Sequence, residues 1–173
     1  MNQKVNQKSN KKVERKIELK SKLRVTIVGV LERTKRSTLD ILAQHLDITH
    51  YHRTTPRDKK INNIKYVADI STEELVNSLL SSTDYILIDY EFSDRLTGII
   101  MHAISLEIPF IIKKSYADKL KLPDNICVKY DKPKDIIDNV KLLDKSYYLN
   151  LITNIRTYKE TLINTCNRFF DVK

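Results

Sequence analysis

The sequence predicts an α/β domain: a mostly parallel sheet with helices on both faces, closed by a long C-terminal helix. Three observations predict it. Strand-length apolar runs alternate with stretches of helical spacing. Two of those stretches open on recognisable helix-start signals, Ser71-Thr-Glu-Glu and Pro133. From Tyr147 onward an apolar stripe continues with no glycine or proline to break it. Strands that alternate with helices need crossover connections, and crossovers make neighbouring strands parallel.

Each element follows in order. Residues 1–22 read as a basic tail, disordered or part-helical around Val13–Leu19. Residues 23–173 form the domain, which is long enough for one core and short for two. Leu23-Arg-Val-Thr-Ile-Val-Gly-Val alternates and then runs apolar with β-branched residues, which fits a buried strand. Leu39, Leu42, Ala43 and Leu46 give Thr34–Leu46 a helical face. Ile48–His52 is a second strand. Thr54-Thr-Pro-Arg-Asp-Lys-Lys is a polar turn region. Asn63–Val67 is a third strand. Ser71 as N-cap and Glu74 three residues later form a capping box, opening a helix to about Leu80.

Asp84-Tyr-Ile-Leu-Ile-Asp is the clearest central strand. A helix over Leu96–Leu106 leads to the strand Phe110-Ile-Ile-Lys. Ile126–Tyr130 is a further short strand, and Pro133 begins a helix. In the last helix, Leu151, Ile155, Tyr158, Leu162, Cys166 and Phe169 fall near one face. Ligands of such sheets bind beyond the carboxyl ends of the strands. The search therefore narrows to the segments after Gly29, Val67, Asp89 and Lys113.

Composition removes several classes. Apolar residues make up 41% of the 173, and glycines number only two. That excludes collagen-like and Gly/Pro-rich disordered chains. The longest apolar runs are far short of a membrane span, and no secretory apolar region leads the chain. Cys127 and Cys166 stand alone, with no zinc spacing or disulfide framework, so a cytoplasmic setting is expected. Cys127 reads as a buried strand residue and Cys166 as helix core. His45, His50 and His52 lack acidic or cysteine companions at ligand spacing, so no metal is expected. The nine tyrosines form no stacking motif for single-stranded nucleic acid.

Of the net charge of +9, residues 1–24 hold +7, from nine Lys/Arg against two Glu. Such a tail fits peripheral contact with an anionic membrane, with nucleic acid a lesser expectation; a solvated arm explains it equally.

Two segments carry candidate chemistry. Gly29-Val-Leu-Glu-Arg-Thr-Lys-Arg-Ser has neither the P-loop lysine nor G-x-G-x-x-G. It does place Arg33, Lys35 and Arg36 beside a predicted helix start, where cations and free N–H groups together hold an anion. A solvated basic loop is the plainer alternative. The second segment puts Thr97 and Gly98 in the first turn of the helix after the central strand, where small residues let a phosphate approach. Close helix–sheet packing is its plainer alternative.

The run Asp84-Tyr-Ile-Leu-Ile, then Leu96-Thr-Gly-Ile-Ile-Met-His-Ala-Ile-Ser-Leu-Glu-Ile-Pro-Phe-Ile, resembles the donor-binding C-terminal domain of GT-B glycosyltransferases of the group 1 type. Asn63-Ile-Lys-Tyr-Val-Ala-Asp-Ile-Ser-Thr-Glu-Glu-Leu is similar to the segment before it, and Val25-Thr-Ile-Val-Gly-Val to its first strand. The likeness runs over roughly residues 23–170. It implies a single Rossmann-like domain that binds a nucleoside diphosphate sugar for transfer to an acceptor.

By that resemblance, Gly29 lets the backbone approach the diphosphate, and Arg33, Lys35 or Arg36 neutralise it. Thr97, Gly98 and Ile99 offer N–H groups. Val67 and Ala68 lie against the nucleobase. Asp94 and His102, separated by seven residues, fall where the family carries two acids. Asp94 would sit by the transferred sugar. His102 stands where the second acid accepts ribose hydroxyls; an imidazole bonds a hydroxyl, but not bidentately. The resemblance implies no metal or other cofactor, and a separate acceptor-domain subunit to complete the enzyme. Two alternatives stay open. One is a non-catalytic nucleotide- or nucleic-acid-binding Rossmann-like module. The other is a protein like a nucleoside deoxyribosyltransferase, with Ile100 where the catalytic glutamate would fall.

Overall fold

The structure, a computed structural model, describes residues 22–29, 36–52, 61–89 and 97–170. Among these, six strands form one sheet in the order β3-β2-β1-β4-β5-β6. They are β1 (Arg24–Val28), β2 (Asp47–His52), β3 (Ile64–Ala68), β4 (Tyr85–Ile88), β5 (Phe110–Lys113) and β6 (Val128–Tyr130). Every neighbouring pair is parallel. This is the doubly wound Rossmann order, whose direction reverses between β1 and β4. The helices are α1 (Arg36–His45), α2 (Thr72–Ser82), α3 (Gly98–Ser105), α4 (Lys114–Lys119), α5 (Pro133–Ile137) and α6 (Lys145–Phe170). A short 3-10 helix, Val140–Leu143, precedes α6.

Alternation along β4 explains the two cores. Tyr85 and Leu87 face one side with Val25, Ile27 and Ile111, covered by Leu39 and Leu42 of α1. Ile86 and Ile88 face the other with Phe110 and Ile112, covered by Ile100 and Ile104 of α3. All four β4 side chains are buried, which is why this strand reads as a continuous apolar run. Each fully buried Ile or Leu contributes roughly 1.5–3 kcal/mol over leaving it in water.

Local signals end the elements where the sequence places them. Ser71 Oγ accepts from the Glu74 N–H at 3.2 Å, and Glu74 Oε2 accepts from the Ser71 N–H at 2.8 Å. Pro133 is the first residue of α5, and Asp135 Oδ2 accepts from the Lys132 N–H at 2.8 Å. Glu107 closes α3 with φ of 55°, and Ile108 N–H returns to the Ala103 carbonyl at 2.9 Å.

Helix α6 crosses both layers. Tyr148 and Leu151 pack in the first core and Ile155 in the second. Arg156 Nη2 then meets Glu107 Oε2 at 2.7 Å, and Lys159 Nζ reaches the Ser105 carbonyl at 2.9 Å. The C-terminal end of α3 is thus clamped by cations that also suit its dipole. Beyond Leu162 the stripe runs off the domain. Cys166, expected in the helix core, is exposed, because no element lies under the last turns among the described residues. No described helix is long and apolar enough to cross a membrane.

Candidate functional site

The strand order locates the crevice. Connections leave β1 and β4 toward opposite edges of the sheet, so the carboxyl ends of these two strands open a gap. The register shows what lines it. Val28 pairs with Tyr51, His52 with Ala68, Ile88 with Ile112, and Lys113 with Tyr130. Extending those pairings by one residue, and the Thr26–Ile86 pairing by three, sets one row along the rim: Ala68, His52, Gly29, Asp89, Lys113, Tyr130.

Gly29 sits at the centre of that row with φ of 108°. Side chains avoid that conformation, so glycine is required for the turn itself; an added Cβ would meet nothing within 4 Å. Its N–H continues the ladder to the Tyr51 carbonyl at 2.9 Å, and its carbonyl accepts from His50 Nε2 at 2.6 Å.

Helix α3 begins beside the same gap. Thr97 is its N-cap, yet the Thr97 side chain makes no capping bond. Thr97 Oγ1 is buried with no hydrogen-bond partner. The N–H groups of Gly98 and Ile99 have no acceptor within the helix, as in any first turn. Space above Gly98 is open for 4 Å around an ideal Cβ. This is an uncapped, amide-rich helix start with the partial positive charge of the dipole.

Asp89, which ends β4, is 3% exposed. Tyr130 of β6 donates its hydroxyl to Asp89 Oδ1 across β5, and Lys113 Nζ lies 3.8 Å from the same oxygen. Burial first, and the Asp89 charge second, push the Tyr130 phenol far up, so it stays a donor. Sequence reading missed this cluster. Its one signal was an acid terminating an all-apolar strand; the register alone brings Tyr130 to it.

The expected residues fall in different places. Gly29, Thr97, Gly98 and Ile99 lie at the carboxyl rim on the neighbouring strands β1 and β4 or the helix that follows. Val67 and Ala68 end β3, at the outer edge of the same rim. Arg36 opens α1, with its Nε 4.0 Å from Asp40 Oδ2. With Asp40, Gln44, Ile61, Asn62 and Asn63 it lines a cleft of about 400 Å³ along α1 and the turn into β3. His102 is exposed on α3, one turn in from the helix start. Arg33, Lys35 and Asp94 lie outside the described residues, as does the basic tail. His50 and His52 stack with ring centroids 5.1 Å apart, and Tyr66 meets His50 edge-on at 5.7 Å. No group of three or more His, Cys, Asp or Glu side chains among the described residues is arranged to hold a metal ion.

No protein-family model and no curated protein matches the sequence. Solved structures do match in fold. Anabaena HepE, in complex with UDP-glucose, superposes with a TM-score of 0.62 at 9% identity. Sucrose-phosphate synthase from Thermosynechococcus elongatus gives 0.64 at 13%. The fold is one that GT-B glycosyltransferases use. The catalytic domain of Helicobacter pylori cholesterol-α-glucosyltransferase adds a third match, 0.60 at 14%, over 81% of this chain and 98% of that one. The chain covers 44% of HepE and 47% of the synthase, with 82% and 88% of its own length aligned. It therefore spans less than half of either GT-B protein. Identities this low carry the GT-B fold and nothing finer.

Proposed function

We propose that this chain is a GT-B donor-binding domain that holds a nucleoside diphosphate sugar in the gap between β1 and α3. One observation carries the reading: α3 starts uncapped at the point where strand order reverses, with Thr97 Oγ1 buried and unpartnered. The N–H groups of Thr97, Gly98 and Ile99 would receive the diphosphate, and the Gly29 turn would let the backbone approach it. Arg33 and Lys35 would supply countercharge, whereas Arg36 turns toward Asp40 and the cleft along α1; Val67 and Ala68 would meet the base, and Asp94 and His102 the sugars. HepE, of the same fold, is described with UDP-glucose.

In the transfer, the bond between the anomeric carbon and the diphosphate oxygen breaks while the acceptor hydroxyl oxygen bonds that carbon and passes its proton to a base of the acceptor-binding domain or to the departing diphosphate. The developing charge stays on the diphosphate, where fixed amides and cations stabilise it with no need of a metal. An acceptor-binding domain, in a separate subunit or elsewhere in a longer chain, would complete the enzyme.

A thermal-shift panel of nucleoside diphosphates and their sugars tests the reading. A ligand at 100 times its dissociation constant should add roughly 2.7 kcal/mol of stability. Gly98→Asp is the informative variant. An acid in the first turn favours the helix yet repels a diphosphate. It should keep the melting temperature of the free protein and abolish the ligand shift; Arg33→Ala should reduce that shift. A panel with no stabilising member, or a Gly98→Asp variant that responds like the wild type, rejects the site.

A further inference from the structure

We infer that His50 is a positioning residue of this same site, an inference that rests on the donor-binding reading. It sets the turn at Gly29 from which the β1–α1 connection departs. Gly29 leaves the sheet with its N–H still in the ladder, to the Tyr51 carbonyl at 2.9 Å. Its carbonyl can only accept, so His50 Nε2, at 2.6 Å, carries the hydrogen. That bond fixes the orientation of the Gly29 carbonyl at the centre of the carboxyl rim.

The ring itself is held on two sides. His52 stacks on it from the same strand at 5.1 Å, and Tyr66 of β3 meets it edge-on at 5.7 Å. The residue is 1% exposed, and Nδ1 is buried with no hydrogen-bond partner. An aliphatic side chain would fill this space without an orphaned nitrogen. What the imidazole adds is the bond to Gly29. At φ of 108°, Gly29 has few other restraints on its carbonyl, since glycine reaches many conformations there.

The test compares His50→Gln with His50→Leu. A glutamine amide nitrogen reaches about as far as Nε2 and can still donate; leucine cannot. UDP-glucose affinity should stay within roughly three-fold in His50→Gln and fall roughly ten-fold in His50→Leu, the size of one net hydrogen bond. Equal losses in both variants, or wild-type affinity in His50→Leu, overturn the inference. Nitrogen NMR supplies a readout free of nucleotide. The wild-type His50 ring should be the neutral Nε2–H tautomer, and the Gly29 amide signal should move in His50→Leu but not in His50→Gln. An Nδ1–H tautomer, or equal displacement in both variants, overturns the inference as well. A wild-type protein that binds no nucleotide but shows this NMR pattern rejects the donor site and leaves the turn assignment standing.

Discussion

Tyr130 donates its hydroxyl to the Asp89 carboxylate over the top of β5, joining β6 to β4 at the carboxyl rim. Both side chains are nearly inaccessible to water. Tyr130→Phe keeps the ring and removes only the donor, so it should cost about 1.5–3 kcal/mol, the range for a bond to a charged group. Urea unfolding checks it: the midpoint should fall with an unchanged slope. An unchanged midpoint would mean that Lys113, 3.8 Å from Asp89, suffices alone.

The amino end of the central strands is tied differently. Asp84 accepts from the Arg24 backbone N–H at 2.9 Å, from Nε at 3.1 Å and from Nη2 at 2.5 Å. Asp84→Ala removes both acceptor oxygens, and with them all three hydrogen bonds, and leaves a partly buried guanidinium unpaired. The loss should be on the order of 3 kcal/mol. Asp84 stands far from the rim, so this variant, where it folds, should bind nucleotide as the wild type does.

The two glycines should behave in opposite ways. Gly29→Ala meets no atom but must hold φ of 108°, which should cost about 1–3 kcal/mol. Gly98 is a helical residue with open space around it, so Gly98→Ala should be neutral or stabilising by up to about 1 kcal/mol. Melting temperatures of the two variants measure the contrast; equal destabilisation would contradict it.

His50 makes stability depend on pH. Burial lowers its pKa below the ordinary 6.5; the Gly29 carbonyl offsets part of this, and His52 lowers it further. Tyr66 is the other ring against it. With the folded value depressed, the unfolded chain takes up the proton first. The contribution is therefore constant above about pH 6.5 and is lost as the pH falls below it, until the folded ring also protonates. Unfolding free energies at pH 7.5 and 5.5 should differ more in the wild type than in His50→Leu.

Much of the fold is legible in the sequence. The β5 bounds, the Ser71–Glu74 box and the Pro133 start are read correctly because each depends on residues a few positions apart. Helix α4 was not expected: six residues with only Tyr116 and Ala117 buried give no period to recognise. Cys166 shows the complementary limit. Periodicity reports which residues share a helix face, but not where the surface beneath that face stops. The site divides in the same way. The gap after Gly29 and before Gly98 follows from strand alternation and the rule for doubly wound sheets. Asp89 and Tyr130 are 41 residues apart, and His50 and Gly29 are 21 apart. Only the sheet register brings them together.

The most direct measurement of the central claim is an amide NMR titration with UDP-glucose. The account predicts saturable shifts at Gly29, Gly98 and Ile99, the residues flanking the β1–β4 gap, and none of comparable size along Asp40, Gln44 and Asn62. Shifts confined to that outer cleft, or no saturable shift with any nucleoside diphosphate sugar, would contradict it.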